Sequence, residues 1–137
     1  MPDNQLKTLE EVLKALADRT RLRILSLLSG GEVCVCHLHE ALRISQPKAS
    51  RHLAYLKRAG LVVGRKDGLW VHYRMAQPKD GVAGALLASV AHFLTHVASS
   101  ATDRSRLEKI TGCCQPAAKP APAQLSCCDS EADTGCC

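Results

Sequence analysis

Residues 45–56 read SQPKASRHLAYL, and this stretch is the most informative about the fold. Ser45 is typical of a helix N-cap, and Pro47 falls in the first turn, where proline costs least. Apolar residues recur every three to four positions, and the opposite face is cationic and hydrogen-bonding. The predicted inward face consists of Ala49, Leu53, Leu56 and Gly60. The stretch therefore predicts an amphipathic helix whose small Ala49 allows close packing on a preceding helix.

A β-hairpin is predicted directly after this helix. Residues 61–66 and 69–75 are two β-prone runs separated by Asp67-Gly68, a strong signal for a two-residue turn. Arg65 and Lys66 then lie near the tip. A basic helix followed by a basic hairpin is typical of a winged helix-turn-helix, in which the helix enters the major groove of DNA and the hairpin reaches the adjacent backbone.

Three helices are predicted before residue 45. Apolar residues at helical spacing, mixed with charged ones, indicate an amphipathic first helix. Cap and breaker residues then delimit two shorter helices. The expected bounds are residue 6 to about Asp18-Arg19 for the first helix, Thr20 as N-cap to Gly30-Gly31 for the second, and Cys34 or Val35 to Arg43 for the third.

Two segments follow the hairpin. Residues 81 to about 100 predict a helix that is too apolar all round to face solvent, so we expect it to pack on its own copy in a dimer. Residues 102–110 add a helical turn or two. Prolines among alanines, serines and acidic residues then indicate a flexible tail. We predict a mainly α, dimeric winged helix-turn-helix domain with a two-stranded β-wing at residues 1–110, and a flexible Cys/Pro/Ala-rich tail at residues 111–137.

The charge of the predicted domain favours a polyanionic partner. The chain has 18 Lys and Arg against 13 Asp and Glu, and residues 111–137 hold one Lys and three of the acidic residues, so the first 110 residues carry +7. Each basic residue alone could be a solvated surface charge, but their arrangement on one helix and one wing favours double-stranded DNA. The predicted groove-facing residues are Gln46, Lys48, Ser50 and Arg51, and the predicted phosphate contacts are Arg58, Arg65 and Lys66.

The cysteines are placed for thiol chemistry rather than for a disulfide framework. Of the eight, two are Cys34 and Cys36, and six form adjacent pairs at 113/114, 127/128 and 136/137. Adjacent cysteines staple a core poorly. No apolar run is long enough to span a bilayer, and the first residues lack a signal-peptide pattern. We therefore expect a cytoplasmic protein with no membrane partner, whose thiols are available to soft ions or to oxidation.

Three motifs together resemble one family. EVCVCHL at residues 32–38, the stretch at residues 45–56 and AGLV at residues 59–62 are similar to the ArsR/SmtB family of arsenic- and metal-responsive repressors. The resemblance covers approximately residues 6–97. It implies a homodimer formed through the first and last helices, which binds a palindromic operator ahead of resistance genes and leaves it when an inducer binds. No enzymatic activity is needed for this role.

The resemblance makes Cys34 and Cys36 the expected inducer ligands but leaves the third ligand open. Cys-Val-Cys is similar to the form of the arsenite-sensing branch, which cadmium and lead sensors share. That branch carries a third cysteine three positions after the second, where this chain has His39. Cys113 or Cys114, from either subunit, could supply the missing ligand instead.

A second metal site known in the family is not matched by this sequence. That site uses acid and histidine ligands on the last helix. His92 and His96 are one helical turn apart, but Asp80 lacks a histidine two residues later.

Thiolates favour the soft trivalent ions of arsenic and antimony, and Cd(II) or Pb(II) also accepts sulfur, whereas imidazole suits Zn(II) better. On a regular helix, residues i and i+2 lie about 200° apart. Two such sulfurs could not readily hold one ion, so we expect binding to distort the first turn of the third helix and thereby loosen the DNA-reading helix.

Two alternatives stay open. The repressor could respond to cadmium, lead or zinc, or its cysteines could form a thiol redox switch. A thiol-rich metal carrier or oxidoreductase is disfavoured, because the chain has no Cys-x-x-Cys motif and no strand-helix alternation. The sequence does not decide the inducing ion, the operator, the regulated genes, or whether the tail cysteines sense or scavenge.

Overall fold

The computed structural model describes residues 3–79 and 81–113, with side chains described as far as Thr111. Helices dominate these residues, and a small sheet follows the fourth helix. In chain order the elements are α1 (Asp3–Leu16), α2 (Arg19–Leu28), β1 (Val33–Cys34), α3 (Val35–Leu42), α4 (Gln46–Arg58), β2 (Val62–Asp67), β3 (Trp70–Met75), α5 (Gly81–Leu94) and α6 (Ala98–Cys113).

Helix α4 begins as the sequence predicts. The Ser45 hydroxyl accepts a hydrogen bond from the backbone N–H of Lys48 at 3.3 Å, and proline occupies the first turn. Ala49, Leu53 and Leu56 are buried. Gly60 does not share that face, because α4 ends at Arg58 and Gly60 lies beyond it at φ 78°, which favours glycine after a helix.

The N-cap of α2 was predicted wrongly. Asp18, not Thr20, caps the helix, since its carboxylate accepts a hydrogen bond from the backbone N–H of Arg21 at 3.0 Å. Thr20 already lies inside the first turn, because α2 starts at Arg19. The bounds of α3 agree with the prediction, and the inward positions Val35, Leu38 and Leu42 are buried.

The β-wing is confirmed, with two refinements. Asp67 pairs with Trp70, so the two-residue turn is Gly68-Leu69, one position later than predicted. Gly68 has φ 60°, and glycine is the residue that tolerates a positive φ at the first turn position. A third short strand, β1, was missed by the sequence pattern. It extends the hairpin into a sheet of order β1-β3-β2, in which Cys34 lies opposite His72.

The apolar helix predicted for residues 81–100 is two helices. Helix α5 ends at Leu94, and α6 leaves it at an angle of 83°. The backbone N–H groups of residues 95, 96 and 97 each donate to the carbonyl three residues earlier. The Thr95 hydroxyl also donates to the His92 carbonyl at 2.7 Å. Such bonding at serine and threonine bends helices.

No single helix within the described residues is long and apolar enough to cross a membrane; α5 and α6 pass that test of length and composition only as a bent pair.

A buried carboxylate fixes α6 on the domain. Asp103 is 1% exposed and accepts two hydrogen bonds from Arg23, from Nε and from Nη2, each at 2.7 Å. Arg106 donates to the same carboxylate at 3.1 Å and to the Ala41 carbonyl at 3.2 Å. We call Asp103, Arg23 and Arg106 the Asp103 clasp. It joins α6 to α2 and to the C-terminal end of α3.

Candidate functional site

The two cysteines of the Cys-Val-Cys motif lie at the junction of β1 and α3. Cys34 is the N-cap of α3 with extended backbone, φ −68° and ψ 144°, while Cys36 is in the first turn. Their Sγ atoms are 3.0 Å apart, and the residues are 6% and 4% exposed. The expectation that the sulfurs point apart was wrong, because it assumed that both residues are helical. The pair is therefore assembled without any distortion of α3.

The environment of the pair favours ionisation. The Cys36 thiol, hydrogen-bonded to Cys34, lowers the pKa of Cys34 to about 7, although burial acts in the opposite direction. The backbone N–H groups of Cys36 and His37, at the start of α3, lower this pKa further, even though the Cys34 side chain makes no full capping hydrogen bond. Thiolate is the form that binds soft metals, so the lowered pKa suits a candidate metal site.

We expect one thiolate to titrate near pH 7 and to be absent from Cys34→Ser. Because the folded-state pKa is lowered to about 7 from an ordinary 9.0, ionised Cys34 stabilises the fold above the ordinary thiol pKa, and this stabilisation is lost as the pH falls through about 7. The measurement is the thiolate ultraviolet absorbance against pH. Cys36→Ala removes the donor and should move the midpoint upward; an unmoved midpoint would contradict the assigned cause.

The ring of His39, the candidate third ligand on α3, contacts the backbone beyond the end of its own helix. Its Nδ1 lies 3.3 Å from the carbonyl oxygen of Ile44, beyond the C-terminal end of the helix. Among the side chains that the structure describes, no three or more His, Cys, Asp or Glu residues are grouped to hold a metal ion. Cys113 is the last residue of α6 and its side chain is not described, while Cys114 and Asp80 lie outside the described residues.

The candidate DNA-contacting residues lie where the sequence predicted them. Four occupy the first two turns of α4, and Arg58 is its last residue. Arg65 and Lys66 are on β2 near the hairpin tip. All are exposed, namely Gln46, Lys48, Ser50, Arg51, Arg58, Arg65 and Lys66.

Arg65 has a partner that the sequence did not reveal. Its guanidinium donates to the carboxylate of Glu32, with Nη2 at 2.6 Å and Nε at 3.2 Å, and Asp67 lies 3.6 Å away. Glu32 lies immediately before β1 and thus two residues before Cys34. The two partners are 33 positions apart in the sequence, so no periodic pattern predicts this ion pair, although the opposite charges of the two residues are compatible with one.

Helix α4 is also tied to α2 by contacts that sequence reasoning missed. The guanidinium carbon of Arg21 lies 4.2 Å from the centre of the Tyr55 ring, and that of Arg58 lies 5.5 Å away from it. Arg21 also approaches His52 at 3.5 Å. Burial keeps the pKa of His52 below its ordinary value; the nearby charge of Asp18 opposes this effect, and the charge of Arg21 adds to it. An uncharged His52 fits this cationic packing.

Helices α3 and α4, followed by a basic β-wing, define the winged helix-turn-helix class, and a buried thiol pair lies at the start of α3. The profile of the family described as "Bacterial regulatory protein, arsR family" matches residues 18–63. A homodimeric winged helix-turn-helix DNA-binding domain from Mycobacterium bovis, described as "a possible ArsR-family transcriptional regulator", is 34% identical, with a TM-score of 0.58 over 68% of this chain and 83% of that one. The chain belongs to the ArsR family, and the predicted resemblance is confirmed.

Curated relatives are similar over the same region. The arsenical resistance operon repressor of Escherichia coli K12 is 58% identical over 67 residues, covering 48% of this chain and 57% of that protein. An arsenic resistance transcriptional regulator of Pseudomonas putida is 54% identical over 80 residues, covering 58% of this chain and 62% of that protein. The chain thus spans less than two thirds of the length of these relatives. Since the family consists of regulators, the expectation of a non-enzymatic protein is also confirmed.

Proposed function

We propose that this chain is a transcriptional repressor that binds a palindromic operator as a homodimer in the cytoplasm. Trivalent arsenic or antimony binds Cys34 and Cys36, releases the operator and derepresses arsenic resistance genes. The observation that carries the proposal is the 3.0 Å approach of two buried sulfurs, one with a pKa of about 7, inside a winged helix-turn-helix domain. The names of the curated relatives point to the same role.

The output surface is the N-terminal half of α4 together with the wing. Gln46 and Arg51 can reach base edges by hydrogen bonds, and Lys48 and Ser50 accompany them on exposed positions. Arg58, Arg65 and Lys66 suit phosphates, which position a protein without reading sequence. This division assigns specificity to α4 and most of the salt dependence to the surrounding basic residues.

The dimer is supported by apolar side chains left uncovered on α1 and α5. Leu6 is 64% exposed and Phe93 is 68% exposed, and Leu13 and Val82 are also exposed. Burying such side chains against a second copy is favourable in proportion to the area removed from water. A two-fold axis would also place two α4 helices on the two halves of a palindromic operator.

Two physical routes link the thiol pair to the output. Helix α3 packs on α4, with Leu38 and Leu53 both fully buried in the common core. In addition, Cys34 pairs with His72 of β3, which pairs with Arg65 of β2, so the sensor and the wing share one sheet. The Glu32–Arg65 ion pair reinforces this second route. About a hundredfold loss of operator affinity requires about 2.7 kcal/mol of coupling, within reach of metal-sulfur ligation.

Other inducers remain alternatives with defined tests. Cd(II) and Pb(II) would use the same thiolates, whereas Zn(II) would favour added histidine ligands. The short distance between the sulfurs would also suit a redox switch. Operator release by arsenite in the presence of a reductant, with no release by peroxide, would exclude the redox alternative. Parallel titrations with arsenite, antimonite, cadmium, lead and zinc would rank the ions.

The repressor proposal is tested by operator binding and its salt dependence. We expect Arg51→Ala to weaken operator binding by about 1–3 kcal/mol, because it removes a base-contacting guanidinium. Fluorescence anisotropy of a labelled operator at several salt concentrations is the measurement. Lys109→Ala, which removes the same charge from an exposed position on α6, is the matched control and should bind as the unsubstituted chain does. Unchanged affinity and salt dependence in Arg51→Ala would refute the proposed DNA surface.

A further inference from the structure

Arg21 lies where three helices meet. Helix α1 carries the exposed Leu6 and Leu13, which are part of the proposed dimer surface, whereas α4 carries the proposed DNA-contacting face. Arg21 belongs to α2, and its side chain is only 12% exposed. The contacts of this one side chain reach both α1 and α4.

On one side, Arg21 binds the C-terminal end of α1. Its Nε donates to the Ala15 carbonyl at 2.7 Å, and its Nη2 donates to the Lys14 carbonyl at 3.0 Å. Carbonyls in the last turn of a helix lack intrahelical partners, so the guanidinium acts as a cap. Apolar contacts are non-directional, and the buried Leu16 therefore holds α1 on the core without setting its angle. Two bonds from a planar guanidinium set that angle.

On the other side, the same guanidinium contacts α4. Its Nη1 lies 3.5 Å from Nδ1 of His52, and its central carbon lies 4.2 Å from the centre of the Tyr55 ring. The Asp18 carboxylate accepts from the Arg21 backbone N–H at 3.0 Å and lies 3.9 Å from Nη1. A cation over an aromatic ring is held more strongly where water is excluded. The buried guanidinium is thus fixed against α4 as well as against α1.

Next to these contacts, α1 and α4 are separated by a cleft of about 200 Å³. The residues that line the cleft are Glu11, Lys14, Tyr55, Arg58 and Ala59. Arg21 contacts Lys14 on the α1 side of the cleft and Tyr55 on the α4 side. The guanidinium therefore bridges the two helices where their side chains do not close on each other.

We propose that Arg21 is a positioning residue that sets the distance and angle between the two α4 helices of the homodimer, and thereby the half-site spacing of the operator. This inference rests on the proposed function, in which α1 contributes to the dimer surface and each α4 reads one half-site. Fixing α4 to α1 fixes it relative to the two-fold axis. One added base pair moves a half-site by about 3.4 Å along the duplex and about 35° around it. A rigid connection accepts one spacing, whereas a loose one accepts several.

Arg21→Lys tests this role, because lysine keeps the charge but lacks the planar fork that contacts two carbonyls and a ring at once. Operators are selected from a random-sequence DNA library with the full-length unsubstituted chain, with Arg21→Lys and with Arg19→Lys. The last variant is the matched control, since it makes the same exchange at an exposed position of α2. We expect a single half-site spacing for the unsubstituted chain and the control, and a spread of spacings for Arg21→Lys.

Anisotropy with labelled operators measures the size of the effect. One base pair inserted at the centre of the selected operator should lower the affinity of the unsubstituted chain by about 100-fold, but that of Arg21→Lys by about 10-fold or less. Affinity for a single half-site should differ by less than about threefold between these chains, because it does not depend on the distance between two α4 helices. A general loss of stability would weaken binding to all of these DNAs alike, so the comparison separates positioning from a purely structural role.

Tyr55→Leu is a second variant, which removes the ring contact and leaves the bonds from Arg21 to α1 in place. It should broaden the spacing in the same direction, and circular dichroism verifies that each variant is folded. A single retained spacing in folded Arg21→Lys would overturn the inference and leave the proposed function intact; if that variant does not fold, Tyr55→Leu decides by the same criterion. Selection of unpaired half-sites by the unsubstituted chain would instead refute the proposed palindromic operator.

Discussion

The double variant Cys34→Ser/Cys36→Ser is expected to bind operator within about twofold of the unsubstituted chain and to lose its response to arsenite. Both residues are nearly fully buried, and serine is close in size to cysteine, so the packing of α3 on α4 is retained. A hydroxyl does not replace a thiolate as a ligand for a soft ion. The arsenite concentration that releases half of the operator should rise at least about 100-fold, equivalent to about 2.7 kcal/mol.

The measurement is anisotropy of a labelled operator during an arsenite titration in the presence of a reductant. Cys136→Ser/Cys137→Ser removes the same number of thiols from the tail and should respond normally. Glu32→Gln, measured in the same titration, separates the two routes of coupling: it breaks the ion pair to Arg65 but leaves both sulfurs in place. If the sheet carries the signal, this variant binds arsenite normally but releases operator less completely. A normal release curve from the double cysteine variant would place the sensor elsewhere.

Asp103→Asn is expected to destabilise the fold far more than substitution of an exposed charged residue does. The substitution leaves the Arg23 and Arg106 guanidiniums adjacent without the buried carboxylate that both now contact. Removing one member of a fully buried ion pair costs about 3–5 kcal/mol. Both guanidiniums are partly solvated, with side chains 30% and 28% exposed, so we expect a loss of about 2–3 kcal/mol.

Urea unfolding measured by circular dichroism tests this expectation. Glu10→Gln removes a carboxylate from the exposed Glu10–Lys14 pair on α1, and it should leave the urea midpoint unchanged because exposed pairs contribute little. Equal midpoints for Asp103→Asn and Glu10→Gln would show that the Asp103 clasp does not hold α6.

Local chemistry made much of the fold predictable. Ser45 and Pro47 mark the start of α4 because capping and the fixed φ of proline act within one turn. The hairpin was predictable for the same reason, although its turn lies one residue later, at Gly68-Leu69. The break between α5 and α6 was not predicted, because Leu94 and Val97 keep helical spacing across it, whereas the Thr95 hydroxyl bonds to the His92 carbonyl at the bend.

The candidate site was only partly predictable. The sequence indicated that Cys34 and Cys36 act together, but the expected separation of their sulfurs was wrong because the two-residue strand β1 is too short to leave a periodic signal. The strand exists because β3 offers it a pairing edge, and β3 is brought there by the domain as a whole. The same tertiary pairing sets Cys34 in extended backbone and turns its sulfur toward Cys36.

Periodicity, capping and side-chain chemistry are properties of neighbouring residues, so the amino-acid sequence alone predicted the helix-turn-helix order, the basic face of α4, the wing and the two candidate thiol ligands. The folded structure alone shows that the two sulfurs lie 3.0 Å apart, that Glu32 binds Arg65, and that Asp103 joins α6 to α2. Those arrangements depend on contacts between residues as many as 80 positions apart, such as Arg23 and Asp103, and no local pattern encodes a distance of that kind.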